Sequence, residues 1–308
     1  MILYLAPAGR ESFSGGVRKL YDHVDILNGA GVRARIVRSD VVDPVTISPK
    51  DLIVVPEIFG DVLSKLAPTV AKVSFNQNAY LSWTDVADVE HHPYLNTPSL
   101  LGVLCVSMDN YYLLRQTFPD LEIKHYRPWI NVGDRFKFGP WPRERKICYF
   151  ARKRAEISTV VLGALYARGR IDSSWAVVCL DGMTDEEIAG HLSTAAIFLS
   201  FSKLEGIGTP PLEAMLSGAM VVGFTGRGGD EYQNHFRACV VEENVVQFVS
   251  GVSAAISDVE VGISGVNVEA LVATAEFIGE RYSQRNEESS IVEIMEGYLS
   301  RARSLLLP

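Results

Sequence analysis

Apolar residues along this chain alternate between two textures. Short continuous runs such as Ile2–Ala6, Leu52–Val55, Ala71–Phe75 and Gly102–Val106 read as buried strands, while Val17, Leu20, Tyr21, Val24 and Leu27 recur at the spacing of one helix face. Gly29 and Gly31 end that helix and Val32–Val37 reads as the next strand, so the chain opens with the β-loop-α-β unit of a parallel sheet. Ile58–Leu66 and Asp109–Thr117 read as helices, the second with Ser107 or Asp109 near its cap, and Glu122–Tyr126 as a last short strand. From Arg127 to Arg145, prolines, glycines and basic residues interrupt every period, as an interdomain linker does. The alternation then restarts. Strands are expected at Lys146–Phe150, Ala176–Leu180, Ala196–Phe201 and Ala238–Val241, and helices near Thr184, at Val245–Ser257, at Val268–Tyr282 and from about Asn286 to Leu305. Ile291, Ile294, Met295, Tyr298 and Leu299 form one stripe on the last. The fold class is α/β, with two successive strand–helix runs.

Composition fits that division. With 308 residues, 47% of them apolar, the chain can bury two cores. Its formal charge of −8 argues against nucleic acid as a partner. Residues 1–145 hold sixteen basic and sixteen acidic side chains, and residues 146–308 hold thirteen and twenty-one, so any peripheral membrane contact would fall to the first domain. MILYLAPAG is a short apolar run without a basic leader or cleavage site, and no run reaches membrane-span length; a cytoplasmic location is the expectation. Cys105, Cys148, Cys179 and Cys239 are widely spaced in strand-like runs and read as free thiols.

Candidate chemistry concentrates in Ser200–Glu231. Glu205 and Glu213 bracket a turn in which Gly206 and Gly208 leave the backbone uncovered, and Pro210-Pro211 open a helix. A helix N-terminus behind a glycine turn suits phosphate; an ordinary strand-to-helix connection fits the same residues. The cluster Arg152-Lys153-Arg154 follows a strand end, where cations would complement a diphosphate, although such a run also suits a solvated face. Gly15-Gly16 sits where a loop meets a helix, so backbone could approach a ligand there, although a plain turn is the more ordinary reading. Asn76, Gln77 and Asn78 follow a strand end where amides could meet sugar hydroxyls. His91 and His92, adjacent in a long irregular segment from Leu81 to Ser99, read as solvated loop histidines.

The string EGIGTPPLEAMLSGAMVV resembles the signature of family-4 retaining glycosyltransferases: Glu205 and Glu213 at the family's spacing, with Gly208, Pro211, Leu212, Ala214, Met215 and Gly218 in register. The later GRGGDE is similar to the family's second glycine loop, and Ser14-Gly15-Gly16-Val17 to its first. The resemblance implies a GT-B fold, two Rossmann-like domains with parallel sheets facing a central cleft. It places an acceptor-side domain at 1–135, a nucleotide-sugar domain at 136–285, and a last helix at about 286–308 packing back on the first. It implies catalytic roles for Glu205, Arg152 and Lys153, the last two neutralising the diphosphate. Donor binding would fall to Glu213 on the ribose hydroxyls, to Gly206, Ile207, Gly208 and Thr209, to Gly229 and Glu231 flanking the donor, and to Gly15 and Gly16 from the opposite domain. The donor is then a nucleotide-diphosphate sugar, the acceptor a hydroxyl of a saccharide or lipid-linked glycan, and neither metal nor cofactor is required. The chain departs from the family at Asn76-Gln77-Asn78, where many relatives carry a sugar-contacting His, and at Ile157, where many carry Lys. A nucleotide- or glycan-binding relative without catalysis, or a non-hydrolysing nucleotide-sugar epimerase, would share the fold, but the paired-glutamate spacing favours the transferase.

Overall fold

The computed structural model describes residues 1–7, 9–10, 15–39, 47–84, 89–236, 238–239, 244–262 and 265–305. Ser14 of the first glycine motif, and the end of the strand expected at Ala238–Val241, lie outside the described residues. The chain forms two compact units, one of Met1–Pro128 with Gln284–Pro308, the other of Trp129–Ser283.

In the first unit β1 (Ile2–Ala6), α1 (Gly15–Gly29), β2 (Ala34–Arg38), β3 (Leu52–Pro56), α2 (Gly60–Lys65), β4 (Ala71–Asn76), α3 (Pro93–Asn96), β5 (Leu100–Cys105), α4 (Met108–Thr117) and β6 (Ile123–His125) follow in order. Their strands form one parallel sheet in the order β2-β1-β3-β4-β5-β6. Ser107 caps α4, its hydroxyl accepting from Asn110 N. The segment after β4 is more ordered than its composition suggests: 3-10 turns at Ala79–Trp83 and Val89–His91 lead into α3.

The second unit runs β7 (Glu144–Tyr149), α5 (Ala155–Ala167), β8 (Ala176–Cys179), α6 (Asp185–Thr194), β9 (Ala195–Phe201), α7 (Thr209–Ser217), β10 (Met220–Phe224), β11 (Ala238–Cys239), α8 (Val245–Val261) and α9 (Val268–Arg281). Its parallel sheet has the order β11-β10-β9-β7-β8. The central strands β9 (AAIFLSF) and β10 (MVVGF) are nearly continuous apolar runs, and every residue of both is buried, as in parallel sheets covered on both faces. Both sheets therefore reverse their winding once, between β1 and β3 and between β7 and β9.

Residues 129–143 pack onto the second unit, which places the boundary after Pro128 rather than after residue 135. Asn131 and Phe136 exchange two 2.9 Å hydrogen bonds. The buried Arg143 guanidinium donates to the carbonyls of Gly139, Leu192 and Ala195, each at 3.0 Å, and to that of Ser217 at the end of α7. Gly218, left-handed at φ 83°, passes close to the Phe138 ring, where a Cβ would fall 2.6 Å from it.

The last helix, α10 (Gln284–Ser304), belongs to the first unit. Its stripe buries Ile291, Met295, Tyr298, Leu299 and Ala302, and Gly102 in β5 makes room, since a Cβ there would fall 2.5 Å from the Tyr298 hydroxyl. Burying these five side chains contributes on the order of several kcal/mol. Lys19 of α1 reaches Glu287 at 2.7 Å, and Arg301 pairs with Glu122. Among the described residues no helix is long and apolar enough to cross a membrane. Cys105 and Cys148 are buried free thiols.

Arg143→Ala removes the guanidinium from four carbonyls at a buried junction, among which that of Ser217 keeps a second donor, Gly139 N. It is expected to cost about 3 kcal/mol, read as a lower urea midpoint at unchanged slope.

Candidate functional site

Where a parallel sheet reverses its winding, flanking crossovers leave on opposite faces and the strand ends between them stay uncovered. In the second unit those ends are the residues after β7 and β9. The three basic residues after β7 divide there into two roles. Arg154 is buried, its Nε donating to Ser202 O at 3.2 Å and its guanidinium lying 4.9 Å from the Phe224 ring, so it binds one loop to the other. Arg152 and Lys153 are exposed, with 59% and 45% of their side chains accessible. Arg152 lies over the Phe150 ring, and Lys153 Nζ is 3.3 Å from Glu205 Oε1. Asp181, two residues past β8, accepts from the backbone N–H of Ala151 at 2.8 Å and of Arg152 at 3.0 Å, orienting this loop.

After β9 the chain enters the glycine turn. Glu205 N donates to Gly226 O at 2.8 Å, and its backbone forms a parallel bridge with Arg227. Gly208 is left-handed (φ 73°, ψ 71°), a conformation glycine takes without strain, and caps α7 with no side-chain hydrogen bond. Pro210 and Pro211 occupy the second and third helical positions and lack N–H, so the helix start presents the amides of Gly208 and Thr209, fewer than a helix start ordinarily has. Glu213 is half-buried on the second turn of α7, among residues otherwise mostly buried.

The second glycine loop touches the first through backbone. A Cβ on Gly228 would fall 2.4 Å from Gly206 O. Tyr232, buried beneath, places its hydroxyl 2.7 Å from Ile207 O and 2.8 Å from Gly208 O, sharing one hydrogen between them. A Cβ on Gly229 would lie 3.2 Å from that hydroxyl, which fixes the loop's approach. Burial pushes the Tyr232 phenol well above its ordinary range, and the charges of Glu231, Glu205 and Asp230 add to the effect. Glu231 differs from expectation. Its side chain is only 5% exposed and its carboxylate accepts from the Tyr282 hydroxyl at 2.5 Å and lies 3.5 Å from Arg281, so it anchors the loop to α9 instead of flanking a ligand.

In the first unit, Gly15 is exposed at the start of α1, and Gly16 lies against Gln77, where a Cβ would fall 2.9 Å from the amide oxygen. The three amides expected to face sugar do not act alike. Asn76 is fully buried, Nδ2 donating to Ser82 Oγ at 2.6 Å and to the Tyr94 hydroxyl at 3.1 Å, so it belongs to an internal network. Asn78 and Gln77 are both half-buried; Asn78 caps the 3-10 turn by accepting from Tyr80 N, and Gln77 lies beside Gly16. His92, expected in solvent, is buried at the cap of α3, accepting from Tyr94 N at 3.1 Å and packing on Trp83 and Phe118. Glu57, just after β3, accepts from Asn78 N at 3.1 Å. Burial pushes its carboxyl up to about 7, against the opposing pull of the Gln77, Glu57 and Asn78 amides.

No protein-family model matches the chain. It is 29% identical over 262 residues to an α-1,6-glucosyltransferase of Actinobacillus pleuropneumoniae serotype 7, covering 77% of this chain and 75% of that one. Among solved structures it resembles a sucrose-phosphate synthase from Thermosynechococcus elongatus, with a TM-score of 0.68 at 12% identity over 97% of this chain and 99% of that one. An α-glucosyltransferase solved with UDP and a 13-mer DNA containing a HMU base matches at a TM-score of 0.59 and 10% identity, again over 97% and 99%. The chain has the GT-B fold.

Two residues that shape these loops, Tyr232 and Asp181, escaped the reading of the sequence. Tyr232 directly follows the Gly-Gly-Asp-Glu string and Asp181-Gly182 directly follows a strand, which are the signals that could have marked them. Among the described residues, no three His, Cys, Asp or Glu side chains gather where they could hold a metal ion.

The raised Glu57 carboxyl makes stability depend on pH in a definite direction. Its native value of about 7 exceeds the ordinary 4.5, so the folded protein holds a proton the unfolded chain releases. Its stabilising contribution is complete below about pH 4.5 and is lost as pH rises through about 7. Glu57→Gln cannot ionise, so its stability relative to wild type should rise by about 2–3 kcal/mol between those limits, measured by urea denaturation at both. A constant difference would show that the carboxyl titrates normally.

Proposed function

We propose that this protein is a glycosyltransferase that moves a hexose from a nucleotide-diphosphate sugar to a hydroxyl of a saccharide or lipid-linked glycan, with retention at the anomeric carbon and without a metal ion. The observation that carries the reading is the convergence of Lys153 and Glu205, 3.3 Å apart, with two mutually packed glycine loops at the winding reversal between β7 and β9. Such ends of parallel strands are where open α/β sheets bind nucleotides.

In this reading Glu213 accepts from the ribose hydroxyls, Arg152 and Lys153 meet the diphosphate, and Glu205 with the backbone of Gly206–Thr209 faces the sugar. The bond from the anomeric carbon to the phosphate oxygen breaks, and negative charge builds on the leaving diphosphate while the sugar becomes oxocarbenium-like. Fixed cations and the positive end of α7 act on that developing charge. The acceptor oxygen bonds to the anomeric carbon on the face the diphosphate leaves, and its proton passes to the leaving phosphate oxygen. Before donor arrives, Lys153 is paired with Glu205; an exposed pair of this kind is weak, so a diphosphate can displace it. The glucosyltransferase relative and the UDP in a structural neighbour make UDP-glucose the first donor to test.

Arg152→Ala and Glu205→Ala should each lower transfer by about 100-fold or more. Glu213→Ala should instead raise the donor KM about tenfold with a smaller change in kcat. A thermal-shift panel of UDP-, GDP-, dTDP- and ADP-sugars, followed by transfer assays with the three variants, tests both the donor class and the residues. Stabilisation by none of these donors contradicts the function, and full transfer by both Arg152→Ala and Glu205→Ala contradicts the assignment.

A further inference from the structure

Residues 226–229 read Gly-Arg-Gly-Gly, and Arg227 is the one residue among them with a side chain. Its backbone sits at φ 68°, ψ −57°, and Gly228 N donates across it to Gly226 O at 2.9 Å. This is a γ-turn of positive φ, which is rare and strained for any residue with a Cβ. Glycine would hold the turn at lower energy, as it holds a positive φ of 65° at Gly226 just before. The strain is held in place by Glu205 N on Gly226 O, by Asp230 N on Arg227 O at 2.9 Å, and by the seating of Gly228 on Gly206.

What the turn achieves is placement. The Arg227 backbone bridges that of Glu205, and the half-exposed guanidinium lies 3.1 Å from Asp230 Oδ2, while the other oxygen of Asp230 accepts from Thr225. The Tyr232 hydroxyl supports the Glu205 turn from beneath, donating to Gly208 O at 2.8 Å. Arg227 and Asp230 together offer a fork of donors beside an acceptor with no net charge. A phosphate needs net positive charge, which Arg152 and Lys153 supply from the β7 side. A polyol needs donors and acceptors side by side.

We propose that Arg227 and Asp230 bind hydroxyls of the transferred hexose, the guanidinium donating and the carboxylate accepting, and thereby set which sugar the enzyme moves. This rests on the donor-site reading above. Titration calorimetry of the full chain with UDP and with UDP-glucose tests it, comparing wild type with Arg227→Gly. The variant removes backbone strain, so its Tm should equal or exceed that of wild type. Its affinity for UDP should stay within about twofold, while its affinity for UDP-glucose should fall at least about tenfold. Arg227→Lys, which keeps the charge but loses the fork, should fall between the two. An unchanged ratio of UDP-glucose to UDP affinity in Arg227→Gly, or an equal loss of both, overturns the proposal and leaves the donor site standing. Failure of wild type to bind either ligand overturns both.

Discussion

The backbone contact between Gly206 and Gly228 is the constraint on which the rest of the second unit depends. Two loops that leave neighbouring parallel strands, β9 and β10, meet without side chains between them, and a Cβ at residue 228 would strike three backbone atoms. Tyr232 closes the arrangement from below, its hydroxyl held between two carbonyls of the first loop. The result is a stiff rim of backbone at the point where the sheet's winding reverses. Glu205, Gly208 and Arg227 are aimed by that rim, and none of them would hold its position on a free loop.

Charged groups in this unit fall into two energetic classes. Arg143 and Arg154 are buried and hydrogen-bonded to carbonyls, and removing either guanidinium strands acceptors that water cannot reach. Glu231 with Tyr282 and Arg281 behaves similarly. Arg152, Lys153 and Arg227 are exposed or half-exposed, with ion-pair partners that high dielectric makes weak. The buried class fixes the scaffold. The exposed class is free to exchange partners, which is what a site for an anionic donor requires.

Much of this was legible in the sequence, because strand runs, helix stripes and glycine loops are local signals. The two β/α alternations and the register of Glu205 with Glu213 needed nothing from tertiary structure. The side-chain roles that escaped were set by distant packing. Nothing local separates Arg154 from Arg152 until Ser202 and Phe224 are found beside it. Asn76 turns inward with Ser74 because alternate residues of β4 share a face, and both bond to Tyr94, eighteen or more residues away. His92 lost its solvent to Trp83 and Phe118, and the linker from Trp129 joined the second unit through Arg143, a contact across half a domain. The strain at Arg227 is invisible in a string where arginine merely interrupts glycines.

A crystal structure of the full chain with UDP shows whether the reversal between β7 and β9 holds the donor diphosphate. Phosphate oxygens are expected within hydrogen-bonding distance of Lys153 and of the Gly206–Thr209 backbone, with Lys153 drawn away from Glu205. UDP bound elsewhere, with the Lys153–Glu205 pair intact, would contradict that placement.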